Sequence, residues 1–155
     1  DLSRLVEGEA LTFEAVAFER DLTWQCTVAP GIAVRGNAAR LQRAVAVLLD
    51  NACKYADEGG SVDTELRRTA RQVELAVRNT GSAIAPEDLP HVFDRFYKTD
   101  RSRSMDKTGA GLGLYIVKNI INLHGGEISV RSGGGETEFE FTLPLAPEQN
   151  RQNNT

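Results

Sequence analysis

The stretch FDRFYKTDRSRSMDKTGAGLGLYIV, residues 93–117, decides the reading of this chain. It joins an aromatic cluster (Phe93, Phe96 and Tyr97) to a polar, charged segment running from Lys98 to Thr108. That segment leads into Gly109, Gly111 and Gly113, and an apolar helical pattern begins at Leu112. A glycine-rich turn that opens a helix presents unpaired backbone N–H groups and a positive dipole end, which suits an anion such as phosphate. The charged segment has only Met105 as an apolar anchor, so it is expected to move as a lid. GxGxG on its own is equally the start of an ordinary surface helix, and it gains force from the rest of the chain.

Downstream, Leu112, Ile116, Val117, Ile120 and Ile121 predict a helix over 111–123, stopped by Gly125 and Gly126. Ile128 and Val130 read as a strand and Gly133, Gly134 and Gly135 as a turn. In the last strand Thr137, Phe139, Phe141 and Leu143 face one way, while Glu136, Glu138, Glu140 and Thr142 face the other. The polar tail over 147–155 reads as disordered.

Upstream, Leu5, Val6, Ala10, Phe13, Val16 and Ala17 recur at helical spacing to about Glu19, with Ser3 as the cap. Trp24, Cys26 and Val28 alternate, Pro30-Gly31 turns the chain, and Ile32 and Val34 alternate again, which predicts two short strands. Asn37 is expected to cap a helix over 38–56, whose core stripe is Leu41, Val45, Leu48, Ala52 and Ala56. Strands over 62–66 and 73–77 follow, joined near Ala70, then a loop over 79–86 and a helical turn at Pro86-Glu87-Asp88. Strand pairs close in sequence imply a mixed, mostly antiparallel sheet. Three amphipathic helices would cover one face of it, giving a two-layer α/β sandwich.

With 155 residues, 41% apolar and 26% charged, the chain has the balance of one globular domain, here placed over 1–146. A net charge of −4 argues against a nucleic-acid partner. Cys26 and Cys53 form no CxxC pair and read as two half-buried thiols in a reducing, cytoplasmic setting. No apolar run reaches membrane-spanning length, and the opening DLSRLVEGEA has the look of an excised fragment.

On the second helix, Asp50, Asn51 and Lys54 fall in one sector opposite the apolar stripe. An amide oxygen suits a hard Mg²⁺ ion, an ammonium suits phosphate, and a carboxylate can accept a proton. A plain solvated helix face is the alternative. Val47 sits in the middle of that sector and speaks against it, because a wet face favours a polar side chain there. Asn79-Thr80-Gly81 offers a polar side chain directly after a strand, although an ordinary turn reads the same way. His91 and His124 have no carboxylate, Ser or Cys arrangement beside them and read as structural. Arg101, Arg103 and Lys107 can meet phosphate or simply solvate the lid.

Together these residues resemble the catalytic and ATP-binding domain of bacterial sensor histidine kinases, of the superfamily shared with DNA gyrase B, Hsp90 chaperones and MutL. LLDNACKYA (48–56) is similar to the family's N box, NTGSAI (79–84) to its first glycine box and HVFDRFYKTDRSRS (91–104) to its F box. TGAGLGLYIVKNIINLHGGEI (108–128) is similar to the second glycine box with its helix, and GGGETEFEFTLP (133–144) to the closing glycine–threonine element. The resemblance spans about residues 1–145 in order, and the F box separates sensor kinases from the gyrase and chaperone relatives. It implies a Bergerat-type sandwich holding ATP between the second helix and the lid.

At the matching positions, the resemblance implies Asn51 on Mg²⁺, Lys54 on the phosphates and Asp50 as base. Gly109, Gly111 and Gly113 would cradle phosphate, with Leu112 and Leu114 seating the helix. Phe93, Phe96 and Tyr97 would anchor the lid, and Thr137 would line the adenine end. Tyr55, Asn79, Gly81, Ile84, Lys98 and Arg103 complete the implied nucleotide-binding set. The implied partners are a dimerisation domain of the same parent protein, which carries the phosphoacceptor histidine, and a response-regulator receiver domain. The fragment is expected to be a monomer and the parent a membrane-anchored homodimer.

The chain departs from the family's pattern at Val47, where a second polar residue is common, and at Asn79, which replaces an Asp that binds the adenine amine. It departs again at Ala83, which replaces a glycine. These departures leave a degenerate nucleotide-binding or docking module as the alternative to a working kinase. Asn79 carries both a donor and an acceptor, so weaker ATP binding and reduced rejection of GTP are expected unless a neighbour locks the amide.

Overall fold

The structure is a computed structural model and describes residues 1–97 and 113–146. Five strands form one mixed sheet: β1 (Thr23–Val28), β2 (Ser61–Arg68), β3 (Gln72–Thr80), β4 (Glu127–Gly133) and β5 (Glu136–Pro144). Their spatial order is β1-β2-β3-β5-β4, with β1 parallel to β2 and every other pair antiparallel. Three helices, α1 (Leu2–Glu19), α2 (Ala38–Tyr55) and α3 (Gly113–Leu123), pack with the sheet into the expected α/β sandwich.

Period-2 alternation makes the sheet two-sided. On β5, Thr137, Phe139, Phe141 and Leu143 are all buried, and Val62, Thr64 and Leu66 on β2 are buried likewise. The opposite face carries charge in register. Asp63, Arg78, Glu138 and Arg131 are neighbours across four strands, so the row alternates in sign from β2 to β4. Arg78 bridges Asp63 at 2.8 Å and Glu138 at 3.2 Å, and Arg131 pairs with Glu138. A one-residue slip would break this row and also turn the core side chains outward, so both faces specify the same register.

α2 behaves as its sequence predicts. The Asn37 side chain accepts the N–H of Arg40 at 3.0 Å, and Leu41, Val45, Leu48, Ala52 and Ala56 are buried, joined by Ala44, Leu49 and Cys53. Cys53 is therefore fully buried, not half-buried, and its thiol is pushed up to about 11, by burial first and by the Asp50 carboxylate second. Histidine 124 ties α3 to α2. Its Nδ1 bonds the Ile120 carbonyl at 2.7 Å, and its Nε2 accepts the Asn37 N–H at 3.0 Å, which fixes a neutral ring with the proton on Nδ1. Any side chain at Gly36 would strike this ring, 2.3 Å from Cδ2.

Several local expectations differ. Ile32 and Val34 are not a strand. Ile32 is a buried plug whose carbonyl accepts the Leu2 N–H at 2.9 Å and whose N–H donates to Ser3 Oγ at 2.9 Å. Its polar groups are satisfied by the start of α1, so no ladder is needed. Ser3 is accordingly not the cap. Asp1 accepts the Arg4 N–H, while the Ser3 hydroxyl is buried and donates to the Ala29 carbonyl at 2.7 Å. Val16, expected in the core, is 36% exposed. β3 continues through Asn79 and Thr80, which were expected in a loop, because both pair with β5. The turn expected at Pro86-Glu87-Asp88 is present, with the N–H groups of Asp88 and Leu89 both donating to the Ala85 carbonyl at 2.8 and 3.3 Å, and a 3-10 turn at Leu89–His91 follows it. The lid and the tail, residues 98–112 and 147–155, lie outside the described residues.

A methyl group at Gly126 would stand 1.8 Å from the backbone oxygen of Thr142, which cannot turn aside without moving β5. Gly126→Ala is expected to cost about 1–3 kcal/mol. Urea denaturation should show this as a lower midpoint at unchanged slope, and a wild-type midpoint would show that β5 yields freely.

Candidate functional site

Two groups of the expected residues meet where α2 ends beside the end of β3. The Thr80 carbonyl joins them, accepting the N–H of Asp57, just past α2, at 3.2 Å and the side-chain amide of Asn79 at 3.0 Å. The Thr80 hydroxyl accepts the N–H of Ser61 at 2.9 Å, so both polar ends of this residue are committed. Gly60 permits the approach, because a methyl there would fall 2.2 Å from Thr80 Oγ1.

Asn79 is 4% exposed and neighbours Val62 on β2 and Thr137 on β5. Its Nδ2 donates to Thr80, which leaves Oδ1 as the group that can receive a further hydrogen bond. Thr137 is also buried, and its hydroxyl lies 2.9 Å from Ser132 Oγ. Ser132 Oγ in turn accepts the backbone N–H of Ile84 at 2.7 Å, holding the segment after Gly81 against the sheet. The Gly81 N–H donates to the Gly135 carbonyl at 2.9 Å, and its φ of +150° favours glycine. The two glycine turns are thus stitched together at one end of the sheet.

The α2 face is more open. Lys54 Nζ stands 3.7 Å from Asp50 Oδ2, with both side chains substantially exposed. Such an exposed pair contributes about 0–1 kcal/mol. Asn51 and Tyr55 are half-buried on the same helix. Val47 has its cover: it packs against the core, and a methyl added at Gly113 would come within 3.3 Å of its Cγ1. The start of α3 therefore lies over the sector holding Asp50, Asn51 and Lys54. Leu114 packs against the core.

Of the aromatic cluster, Phe93 packs edge-on to Phe139 with ring centroids 6.0 Å apart. The Tyr97 hydroxyl donates to Asp88, and its ring lies 5.3 Å from that of His91. His91 does have a carboxylate beside it, contrary to expectation: Asp94 Oδ2 lies 2.9 Å from Nδ1 on the same turn. Phe96 is 58% exposed with φ +65°, and Arg95 lies over both its ring and that of Tyr115, at 4.8 and 5.9 Å. Lys98, Arg103, Gly109, Gly111 and Leu112 lie outside the described residues. No cluster suited to hold a metal by His, Cys, Asp and Glu alone occurs among the described residues.

Ser132 is the member that the sequence reading missed. The alternation of Ile128, Val130 and Ser132 could have placed it on the inward face of β4, but its partner Thr137 is given only by the register. Ser132→Ala would leave the Ile84 N–H without its acceptor, at a cost of about 1–2 kcal/mol. Hydrogen exchange at the Ile84 amide is expected to accelerate at least tenfold, and unchanged protection there would show that Ser132 does not hold the segment.

The family model described as histidine kinase-, DNA gyrase B-, and HSP90-like ATPase matches residues 36–147. The sensor histidine kinase CusS of Escherichia coli strain K12 is 39% identical over 132 residues, covering 85% of this chain and 27% of CusS. The chain thus spans about a quarter of that relative's length. The mycobacterial sensor histidine kinase MprB superposes with a TM-score of 0.81 at 33% identity, over 95% of this chain and 97% of that one. Full-length ShkA in complex with AMPPNP superposes at 0.79 with 27% identity, over 94% of this chain and 30% of that one. No helix among the described residues is long and apolar enough to cross a membrane. With the sheet order, the α2 sector under the start of α3 and the matched span in agreement, the chain belongs to the family of histidine kinase-, DNA gyrase B- and HSP90-like ATPases.

Proposed function

We propose that this chain is the ATP-binding kinase part of a two-component sensor histidine kinase. The observation that carries the reading is Asn79. Its amide is buried at the sheet end, spends its NH₂ on the Thr80 carbonyl and keeps Oδ1 as an acceptor suited to the adenine amine. Thr137, oriented by Ser132, lines the same end, and Tyr55, Gly81 and Ile84 border it. Lys54 meets the phosphates after leaving Asp50, and Gly113 and Leu114 carry the start of α3 over them. Lys98, Arg103, Gly109, Gly111 and Leu112 would complete the phosphate side, with Phe93 and Tyr97 anchoring the segment that bears them.

Asn51 offers a neutral amide oxygen on the half-buried α2 face, a donor that fits a hard ion beside phosphate. Bound Mg²⁺ would neutralise charge that develops on the transferring phosphoryl group. The γ-phosphoryl group would pass from ATP to an imidazole nitrogen of the parent's dimerisation domain, leaving ADP, and then to a receiver-domain aspartate. Asp50 would take the proton that the imidazole gives up. The parent is proposed to be a membrane-anchored homodimer with this part in the cytoplasm. The second reading, a binding module without efficient transfer, has one observation in its favour: Val47 is covered by Gly113 and gives the phosphate side no polar atom.

Asn51→Ala separates these readings. In the chain joined to its dimerisation domain, Mg²⁺-dependent transfer is expected to fall on the order of 10²-fold, since metal charge stabilisation is worth several kcal/mol. Urea stability should stay near wild type. Transfer at the wild-type rate would remove Asn51 from the site.

The pinned Asn79 amide decides base selectivity. Because Nδ2 is held by Thr80, the acceptor faces the base, and guanine, which offers a carbonyl at that point, should be rejected. Asn79→Asp is expected to tighten ATP binding roughly fivefold through a charge-assisted bond while leaving GTP excluded in both forms. Calorimetry with both nucleotides checks this, and GTP binding within tenfold of ATP in the wild type would show that the amide turns.

A further inference from the structure

The two edges of the sheet are built differently. β4, at one edge, carries Glu127 and Arg131, the kind of charge that discourages pairing with another chain. β1, at the other, reads TWQCTV and has neither a charge nor a proline. The Thr23 N–H bonds the Gly60 carbonyl at 2.8 Å, and the Ala29 N–H bonds that of Leu66 at 3.0 Å. In a parallel pair the odd-numbered residues therefore face β2, and the N–H and C=O groups of Trp24, Cys26 and Val28 point outward from the edge. Among the described residues nothing pairs with them.

Beside this edge α1 overhangs the strand. Glu7, Ala10, Leu11 and Glu14, spaced so that they share one helix face, line with Trp24, Cys26 and Val28 a groove of about 520 Å³. Leu11 is 70% exposed, and Phe18, one further repeat along the same face, is 82% exposed. Neither Glu7 nor Glu14 forms an ion pair among the described residues. The Cys26 thiol reports the field there, being pushed up by burial and by the carboxylates of Glu7, Asp63 and Glu14.

We propose that this groove is a docking site for an extended segment of a partner protein, which adds as a strand to the free edge of β1 and directs lysine or arginine side chains to Glu7 and Glu14. Strand addition supplies the backbone partners that Trp24, Cys26 and Val28 lack, which a docked helix would not. Alternate side chains of the added strand point under α1, where an apolar residue meets Leu11 and Trp24 and a cation meets the carboxylates. A second copy of this chain fits poorly, because edge-to-edge pairing of two β1 strands would bring Glu7 and Glu14 of both copies together. This site is separate from the one formed by Asn51, Asn79 and Thr137, so it stands or falls independently of the kinase reading.

Trp24 is the only tryptophan and Cys26 the only incompletely buried cysteine, so the groove carries its own reporters. The probe is a blocked hexapeptide, Thr-Lys-Thr-Val-Thr-Lys, added to the 155-residue chain. Saturable change in Trp24 fluorescence and at least tenfold slower alkylation of Cys26 are expected, both weakened by salt. The acidic counterpart with Glu in place of Lys should do neither, nor should the basic peptide N-methylated at every residue, which has no N–H left on either edge to pair. Glu7→Gln with Glu14→Gln should weaken binding of the basic peptide at least tenfold. The proposal is overturned if the basic peptide has no effect, if the acidic or methylated peptide acts equally, or if the double variant binds as well as wild type. It is also overturned if Cys26 becomes protected with rising protein concentration alone, which would assign the edge to a second copy.

Discussion

Everything in this fold depends on α2 being bound on one side and usable on the other. Its buried stripe, from Leu41 through Val45, Leu48, Leu49 and Ala52, packs into the common core with Val62, Leu75, Phe139 and Phe141 of the sheet. Each large apolar side chain so buried contributes about 1.5–3 kcal/mol. Because a helix turns about 100° per residue, that stripe fixes the direction in which Asp50, Asn51 and Lys54 point. The polar trio is therefore positioned by the core, and the exposed Lys54–Asp50 pair adds little to that placement.

At the sheet end the logic reverses. Asn79 and Thr137 are buried polar groups, and each polar atom there must find a partner or a ligand. The structure meets this with short, directional links: Asn79 and Asp57 to the Thr80 carbonyl, Ile84 to Ser132, and Ser132 to Thr137. These bonds join the end of α2, both glycine turns and three strands within a few residues of one another. On the proposed reading, the rigid sheet end meets a flat heterocycle and the open helix face meets the phosphates.

The two faces and two edges of the sheet divide the remaining work. The solvent face carries the alternating row Asp63, Arg78, Glu138 and Arg131, whose ion pairs hold the strand register from β2 to β4. The β4 edge is defended by charge. At the β1 edge, with α1 leaning over it and two carboxylates alongside, the described residues expose both backbone bonding groups and apolar surface.

The sequence by itself determined the parts whose cause lies within a few residues. The Asn37 cap, the α2 stripe, the clean alternation of β5 and the glycine stops are periodic or local, and the structure reproduces them. The ordered boxes pointed correctly to the family for the same reason, since each is a short contiguous run. Only the tertiary structure decided what depends on a distant partner. Ile32 became a plug because Ser3, twenty-nine residues away, satisfies its N–H. Asn79 moved from an expected loop into β3 because Thr137 pairs with it, and its amide points as it does because the Thr80 carbonyl holds it. Strand order, the role of Ser132 and the exposed edge of β1 share this origin: they are set by which segments meet, and sequence spacing carries no record of that meeting.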